Sequence, residues 1–307
     1  MTPYETVKLN TAVELIEYLS PLNEERWLKD RYIFRGQPDA KHQLIPSAHR
    51  GHGALSAQGI SGSDTVLVWQ QAQFELLILK HFLESADISG ASVPGDSVHI
   101  RSRLDEIQAS IFHKPEHWPP RDVHQVLAVA QHHGLPTCLL DWTRRAHVAA
   151  YFAAVSALSG NAGDPTGEIA VWALNTRGDE MWKDVSLVRL PGGTSVNMAS
   201  QVGLFSVSRI EGTVFDPFKA IPLELEEDIY VTPDRWNGKV YPGMEKITLP
   251  KAEAGNVLHA CRALGISGST LFPGYDGIRR EVMEWSYLEA AVALEYRQKL
   301  EHKKCQR

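Results

Sequence analysis

Three clusters of polar side chains interrupt apolar runs, and each carries residue types that do chemistry. The first is Phe34-Arg35-Gly36-Gln37, followed by Leu44-Ile45-Pro46-Ser47 and Arg50. Arg35 is a candidate anion grip, because a planar guanidinium offers two parallel N–H donors to a carboxylate or phosphate and lysine cannot. Gly36, with no Cβ, admits a ligand or a second backbone at close range. The second cluster is Gln131-His132-His133-Gly134-Leu135-Pro136-Thr137, running into Leu139-Leu140-Asp141-Trp142-Thr143. It gathers two imidazoles that titrate near neutral pH with a carboxylate, an amide and a hydroxyl, the residue types of acid–base work. Adjacent histidines at a helix end point in different directions, so His132 and His133 do not both serve one site. The third runs from Asn197 to Ser206, where Gln201 can read a ligand amide or close a turn.

Each cluster also has a plain structural reading. Arg35 and Asp141 buried as an internal clamp would account for both charges with no ligand. One histidine capping its helix C-terminus and the other in the core would account for the imidazoles. Metal binding is not expected. His113 and His117 are four apart but Pro115 between them breaks a helix face, and no second pair has zinc-like spacing.

These residues must be held by the elements around them. Thr11 to Leu19 reads as a short amphipathic helix with Val13, Leu15, Ile16 and Leu19 on one side. Tyr32-Ile33-Phe34 is an aromatic and β-branched run, a strand that ends at Arg35-Gly36-Gln37-Pro38. Gly51 to Ser63 reads as a loop and Val66 to Phe82 as a long helix. Asp122 is a candidate N-cap for a helix carrying Val123, Val126, Leu127 and Ala130, which Gly134 and Pro136 stop. Thr137 to Leu140 is a strand that delivers Asp141, Trp142 and Thr143 at its end. An Ala-rich helix over Ala146 to Leu158 follows, then strands over Glu168 to Leu174 and Val202 to Val207. The last helices span Ala252 to Leu264 and about Gly277 to Leu300, with Asp276 as a cap. Strands and helices mix without strict alternation. This predicts an α+β fold, a mixed, partly antiparallel sheet core flanked by helices. The division expected is an N-terminal helical segment over 1–30, a core over 31–158, a second half over 159–300 packing on the same core, and a basic tail over 301–307.

Composition narrows the class. Hydrophobic content of 43% and charged content of 22% are those of a globular protein. Cys138, Cys261 and Cys305 are too sparse for a disulfide framework, which points to a reduced, cytoplasmic setting. No apolar signal core occupies the first 30 residues, and Val148 to Leu158 is too short to span a bilayer, so no membrane association is expected. A formal net charge of −6 gives no general affinity for nucleic acid. Basic patches are limited to Arg144 and Arg145, Arg279 and Arg280, and Lys303, Lys304 and Arg307.

The motifs carry a resemblance. Phe34-Arg35-Gly36-Gln37 with Pro46-Ser47 and Arg50, and Gln131 to Thr137 with Leu140-Asp141-Trp142-Thr143 and Ala150-Tyr151-Phe152-Ala153, resemble the two motifs of the FRG-domain family. Ala199 to Ser206 and Leu271 to Gly277 are similar to its downstream pattern, and Cys138 departs from the basic residue of that position. The order of motifs is also similar, more distantly, to ADP-ribosyltransferase folds. There Phe34-Arg35-Gly36 would match a Tyr-Arg-Gly strand, Asp141-Trp142-Thr143 a Ser-Thr-Ser strand, and Gln201 the catalytic glutamate, from which glutamine departs. That likeness implies NAD as substrate. Arg35 would grip the pyrophosphate with Gly36 allowing close approach. Gln131, His132 or His133, Thr143 and Gln201 would hold the ribose and nicotinamide. Asp141 would face the bond being broken. It implies a toxin or phage-defence factor acting on a protein or nucleotide target. The alternatives are a non-catalytic ligand- or partner-binding module and a His/Asp hydrolase or nuclease.

Overall fold

The structure, a computed structural model, describes residues 4–23, 26–27, 31–50, 65–160, 166–177, 182, 185–190, 200–208, 210–226, 229, 232–233 and 240–289. Its strands are β1 (Glu5–Lys8), β2 (Tyr32–Gln37), β3 (Leu139–Thr143), β4 (Glu168–Asn175), β5 (Val185–Val188), β6 (Gly203–Ser208), β7 (Thr232–Pro233), β8 (Val240–Tyr241) and β9 (Met244–Pro250). Its α-helices are α1 (Ala12–Tyr18), α2 (Val68–Ser89), α3 (Val98–Ser110), α4 (His124–His132), α5 (Ala146–Leu158), α6 (Ala254–Ala263), α7 (Gly268–Leu271) and α8, over 275–289. Seven strands form one sheet in the order β1-β9-β4-β2-β3-β6-β5. The β1–β9 pair is parallel and the other neighbours in that sheet are antiparallel. The fold is α+β, a mixed sheet flanked by helices.

Alternation along the strands assigns the faces. Tyr32 and Phe34 of β2 join Ile169, Val171 and Ala173 of β4 under α1, α5 and α6. Leu139 of β3 joins Phe205 and Val207 of β6 under α2, α3 and α4. The opposite face is continuous across both halves: Ile33, Leu140, Trp142, Trp172 and Leu204 share one cluster. Two groups of helices thus stand side by side on the same face. α5 is buried on most sides, through Val148, Ala149, Ala150, Tyr151, Ala153 and Ala154, the pattern of a helix enclosed by its neighbours. Its small residues let its backbone lie directly on β2. A Cβ at Gly36 would stand 2.0 Å from the Ala149 carbonyl oxygen and 2.7 Å from the Ala153 nitrogen.

The sheet has a seam. β2 pairs with β4 from Tyr32↔Asn175 to Gln37↔Ala170, and β3 with β6 from Leu139↔Val207 to Thr143↔Gly203. Between β2 and β3 a single pair, Phe34↔Thr143, closes the ladder.

Several expectations need correction. β2 does not end at Arg35; it runs to Gln37, because β4 pairs along its whole length and the Gln37 amide accepts from Trp172 Nε1 at 2.9 Å. Asp141 likewise lies inside β3 and not beyond it, since β6 continues the ladder to Thr143. α2 extends to Ser89. Asp122 is not an N-cap: it sits in a 3-10 turn, Arg121–Val123, that leads into α4. Asp276 lies in the first turn of α8 and binds Arg279 and Arg280 within that helix. The N-terminal segment is not helical alone, because Glu5–Lys8 adds the edge strand β1 to β9. The expected loop over Gly51 to Ser63, the residues Asn197 to Ala199, Cys305 and the tail over 301–307 lie outside the described residues. Among those described, no helix is long and apolar enough to cross a membrane, and Cys138 and Cys261 are buried free thiols.

Candidate functional site

A cleft of about 410 Å³ opens over the seam, between the two groups of helices. β2 supplies Arg35 and Gly36, the end of α4 supplies Gln131 and His132, and β3 supplies Asp141 and Thr143. Across from them stand Phe152 and Ser156 of α5, with Phe272, Asp276 and Arg280 at and after the turn into α8.

Arg35 is the most enclosed charge in the cleft, its side chain 15% exposed. Its Nη1 donates to the Asp141 backbone oxygen at 2.8 Å and, at 3.4 Å, to Asp141 Oδ2. Its Nε is buried with no hydrogen-bond partner among the described residues. A buried donor left unpaired costs free energy unless something arrives to accept from it. The Asp141 side chain is 63% exposed. The buried clamp read from the sequence is thus a half-open one: the guanidinium is held mainly by a peptide carbonyl, and the carboxylate faces solvent.

Asp141 is oriented from behind. Its Oδ1 accepts from Gln131 Nε2 at 2.6 Å, and the Gln131 oxygen accepts in turn from the Thr137 hydroxyl. The Thr137 backbone N–H also donates to Ser47 Oγ at 3.2 Å. This chain ties the turn after α4 to the Pro46-Ser47 segment. That segment is fixed further by Glu75 of α2, buried, which accepts from His49 Nε2 at 2.9 Å, Gln71 Nε2 at 2.7 Å and Trp118 Nε1 at 3.0 Å. Burial pushes the Glu75 carboxyl up, but the His49 charge and these bonds outweigh it and hold it below the ordinary value. Burial beside Glu75 pushes the Cys138 thiol well up, so Cys138 is an inert thiol in the core. Next to His49, Arg50 donates Nε to the Ile45 oxygen at 3.0 Å. Burial and then the Arg35 charge lower the Arg50 guanidinium, with Asp141 opposing. Two guanidiniums therefore feel one exposed carboxylate, a local excess of positive charge in an acidic chain.

His132 lines the cleft and His133 does not. His133 is exposed, its ring stacked 6.4 Å from Phe82. Burial, with His133 adding, pushes the His132 imidazole below its usual value, and Asp141 pulls it back. Thr143 and Gln201 are engaged in the scaffold. Thr143 Oγ1 donates to the Gln201 oxygen at 2.7 Å, and Gln201 Nε2 donates to the Leu271 oxygen at 3.2 Å. The next residue, Val202, has φ 49, a left-handed conformation that costs a β-branched residue roughly 1–3 kcal/mol and is held by its surroundings. Gly36 has a packing reason beyond any ligand, since α5 occupies the space where its side chain would be.

Residues 30–162 fit the family model of the FRG domain. The chain carries an FRG domain. No curated protein and no solved structure matches the chain. The matched stretch supplies β2, α4, β3 and α5, and with them Arg35, Gln131, His132, Asp141 and Thr143 of the cleft. The FRG domain does not complete the cleft by itself, because Gln201, Phe272, Asp276 and Arg280 come from beyond residue 162. In the sequence Asp276 reads as a helix cap and Arg280 as half of a short basic pair. Their i, i+4 spacing signalled a local ion pair, but nothing in the local pattern placed them opposite Arg35. Among the described residues no group of three His, Cys, Asp or Glu side chains is gathered closely enough to hold a metal ion.

Proposed function

We propose that the cleft binds an anionic dinucleotide of the NAD or ADP-ribose class, in the manner of an ADP-ribosyltransferase-like domain. The observation that carries this reading is Arg35: an enclosed guanidinium whose buried Nε has no partner among the described residues, on a cleft also lined by Phe152 and Phe272. Two charge-assisted bonds from that fork suit a pyrophosphate. Gly36 belongs to the same wall. His132 is the imidazole within reach of a ribose or nicotinamide, and Gln131 acts through Asp141. If the bond from ribose C1′ to the nicotinamide nitrogen breaks, its electron pair leaves with the nicotinamide, and the positive charge that develops on the ribose is what the exposed Asp141 carboxylate would stabilise. Such an activity directed at a cellular target is that of a toxin or phage-defence factor.

The binding-module reading has its own observation. Thr143 and Gln201 already spend their side chains on Gln201 and Leu271 backbone oxygens, so neither stands in for the missing glutamate. One experiment separates the readings. The purified protein is incubated with NAD and with RNA, and nicotinamide, modified protein and cleaved strands are measured. Nicotinamide release that Arg35→Ala abolishes is expected. Binding of ADP-ribose without release leaves the non-catalytic module, and RNA cleavage with no response to NAD replaces this reading with a nuclease.

A further inference from the structure

The wall of the cleft that lies outside the family match is built around one cation. The Arg280 guanidinium lies over the Phe272 ring, its carbon 4.1 Å from the ring centroid. Its Nε donates to Asp276 Oδ2 at 2.7 Å. One face is backed by an aromatic ring and one edge is tied by a carboxylate, while the side chain remains 42% exposed. The group is thus a flat cation held in one orientation with its other face open.

The support beneath it is rigid. A Cβ on Gly268 would stand 2.6 Å from the Arg280 Cβ, so α7 and α8 touch at the root of this side chain. One turn on, buried Glu284 accepts from Gly268 N at 2.8 Å, from Arg262 Nη1 at 3.1 Å and from the Tyr151 hydroxyl. A flat group fixed before the ligand arrives loses little freedom on binding. Guanidinium planes and aromatic rings are the surfaces on which nucleobases stack.

We infer that Arg280, backed by Phe272 and tethered by Asp276, is the platform on which the aromatic base of the cleft's ligand stacks. The inference rests on the nucleotide reading above and sharpens it: the site takes a base-bearing diphosphate, with the anion at Arg35 and the base at Arg280. Arg280 is then a specificity-determining residue, and Asp276 a positioning residue that acts through it.

The test is calorimetric titration of the parent, Arg280→Lys, Arg280→Ala and Asp276→Asn with ADP-ribose, with pyrophosphate measured by competition against it. Lysine keeps the charge and removes the plane. Arg280→Lys should weaken ADP-ribose about tenfold, the scale of one lost stacking contact, and leave pyrophosphate within about twofold of the parent. Asp276→Asn should show the same selectivity with a smaller loss. Unchanged melting temperatures would confirm that α8 stays folded. If Arg280→Lys binds ADP-ribose like the parent, or if both ligands weaken equally, the platform is overturned while the Arg35 reading stands. If the parent binds neither ligand, both fall.

Discussion

The two walls of the cleft are built by opposite means. The wall of β2, β3 and α4 is cross-tied over long sequence separations: Arg35 to Asp141, Thr137 to Ser47, Thr143 to Gln201. The wall of α8 is made of neighbours in sequence, Phe272, Asp276 and Arg280, and is fixed to the rest through Glu284. In the first wall, moving one residue disturbs strands from several parts of the chain. In the second, the contact geometry is local and only its anchorage is long-range. The first wall should tolerate little change in shape, and the second should tolerate change in chemistry.

The largest effect expected from breaking this arrangement is at Gly36, where both walls meet through α5. Gly36→Ala forces a Cβ into the Ala149 carbonyl and should destabilise by about 3 kcal/mol or more, read as a fall in the denaturant midpoint. Releasing the α8 wall alone comes next. Glu284→Gln removes the charge that Arg262 and Tyr151 meet and should cost roughly 2 kcal/mol, with nucleotide affinity falling more than pyrophosphate affinity. On the sheet wall, Arg35→Ala should cost about 2–5 kcal/mol of binding to either ligand while the protein stays folded, and Arg35→Lys should not restore it. Loss of ADP-ribose binding in Arg35→Ala with pyrophosphate binding unchanged would contradict that assignment.

A smaller effect comes from pH. The depressed His132 pKa keeps the ring neutral at pH 7. An anionic ligand favours its protonated form, so affinity should rise as pH falls below about 6.5, by less than about tenfold, and stay flat above. His132→Asn should remove the rise. The unfolded chain takes that proton more readily than the folded one, so the same group withdraws stability in the same window. The smallest effect is on melting in Asp141→Ala. Its carboxylate is exposed and Arg35 holds mainly the backbone, so the change should be within about 1 kcal/mol, with activity lost. A much larger fall would restore the clamp.

How much of this was legible follows from the same contrast. Phe34-Arg35-Gly36 and Leu140-Asp141-Trp142 stood out because each interrupts an apolar run with a residue that burial alone does not favour, and a strand delivers each. α5 was readable residue by residue, since Ala146 to Leu158 is apolar almost throughout. What failed was degree and direction. Both strands run further than their apolar residues suggest, β2 through Gly36 to Gln37 and β3 through Asp141 to Thr143, because ladders with β4 and β6 carry them on. The exposure of Asp141 depends on β2 and β3 parting after one pair, which no local pattern records. β1, β9 and α3 went unread. β1 and β9 join segments some 240 positions apart, as in Glu5↔Glu245, a pairing with no local trace. The roles of Phe272 and Arg280 are set by which helix faces which strand.

The seam has one more consequence, for how the chain comes to exist. Residues 30–162 emerge from synthesis with β2 and β3 already made, yet these two strands meet each other at Phe34↔Thr143 and nowhere else. Their true partners, β4 and β6, lie downstream, and β9, which covers β4, ends at Pro250. Until β4 and β6 follow, β2 and β3 carry bare edges, and bare edges recruit other chains. The stretch that defines the family by sequence is thus not a unit of folding. Expressed alone it should aggregate, because β2 gains its main ladder only with Glu168–Asn175 and β3 only with Gly203–Ser208.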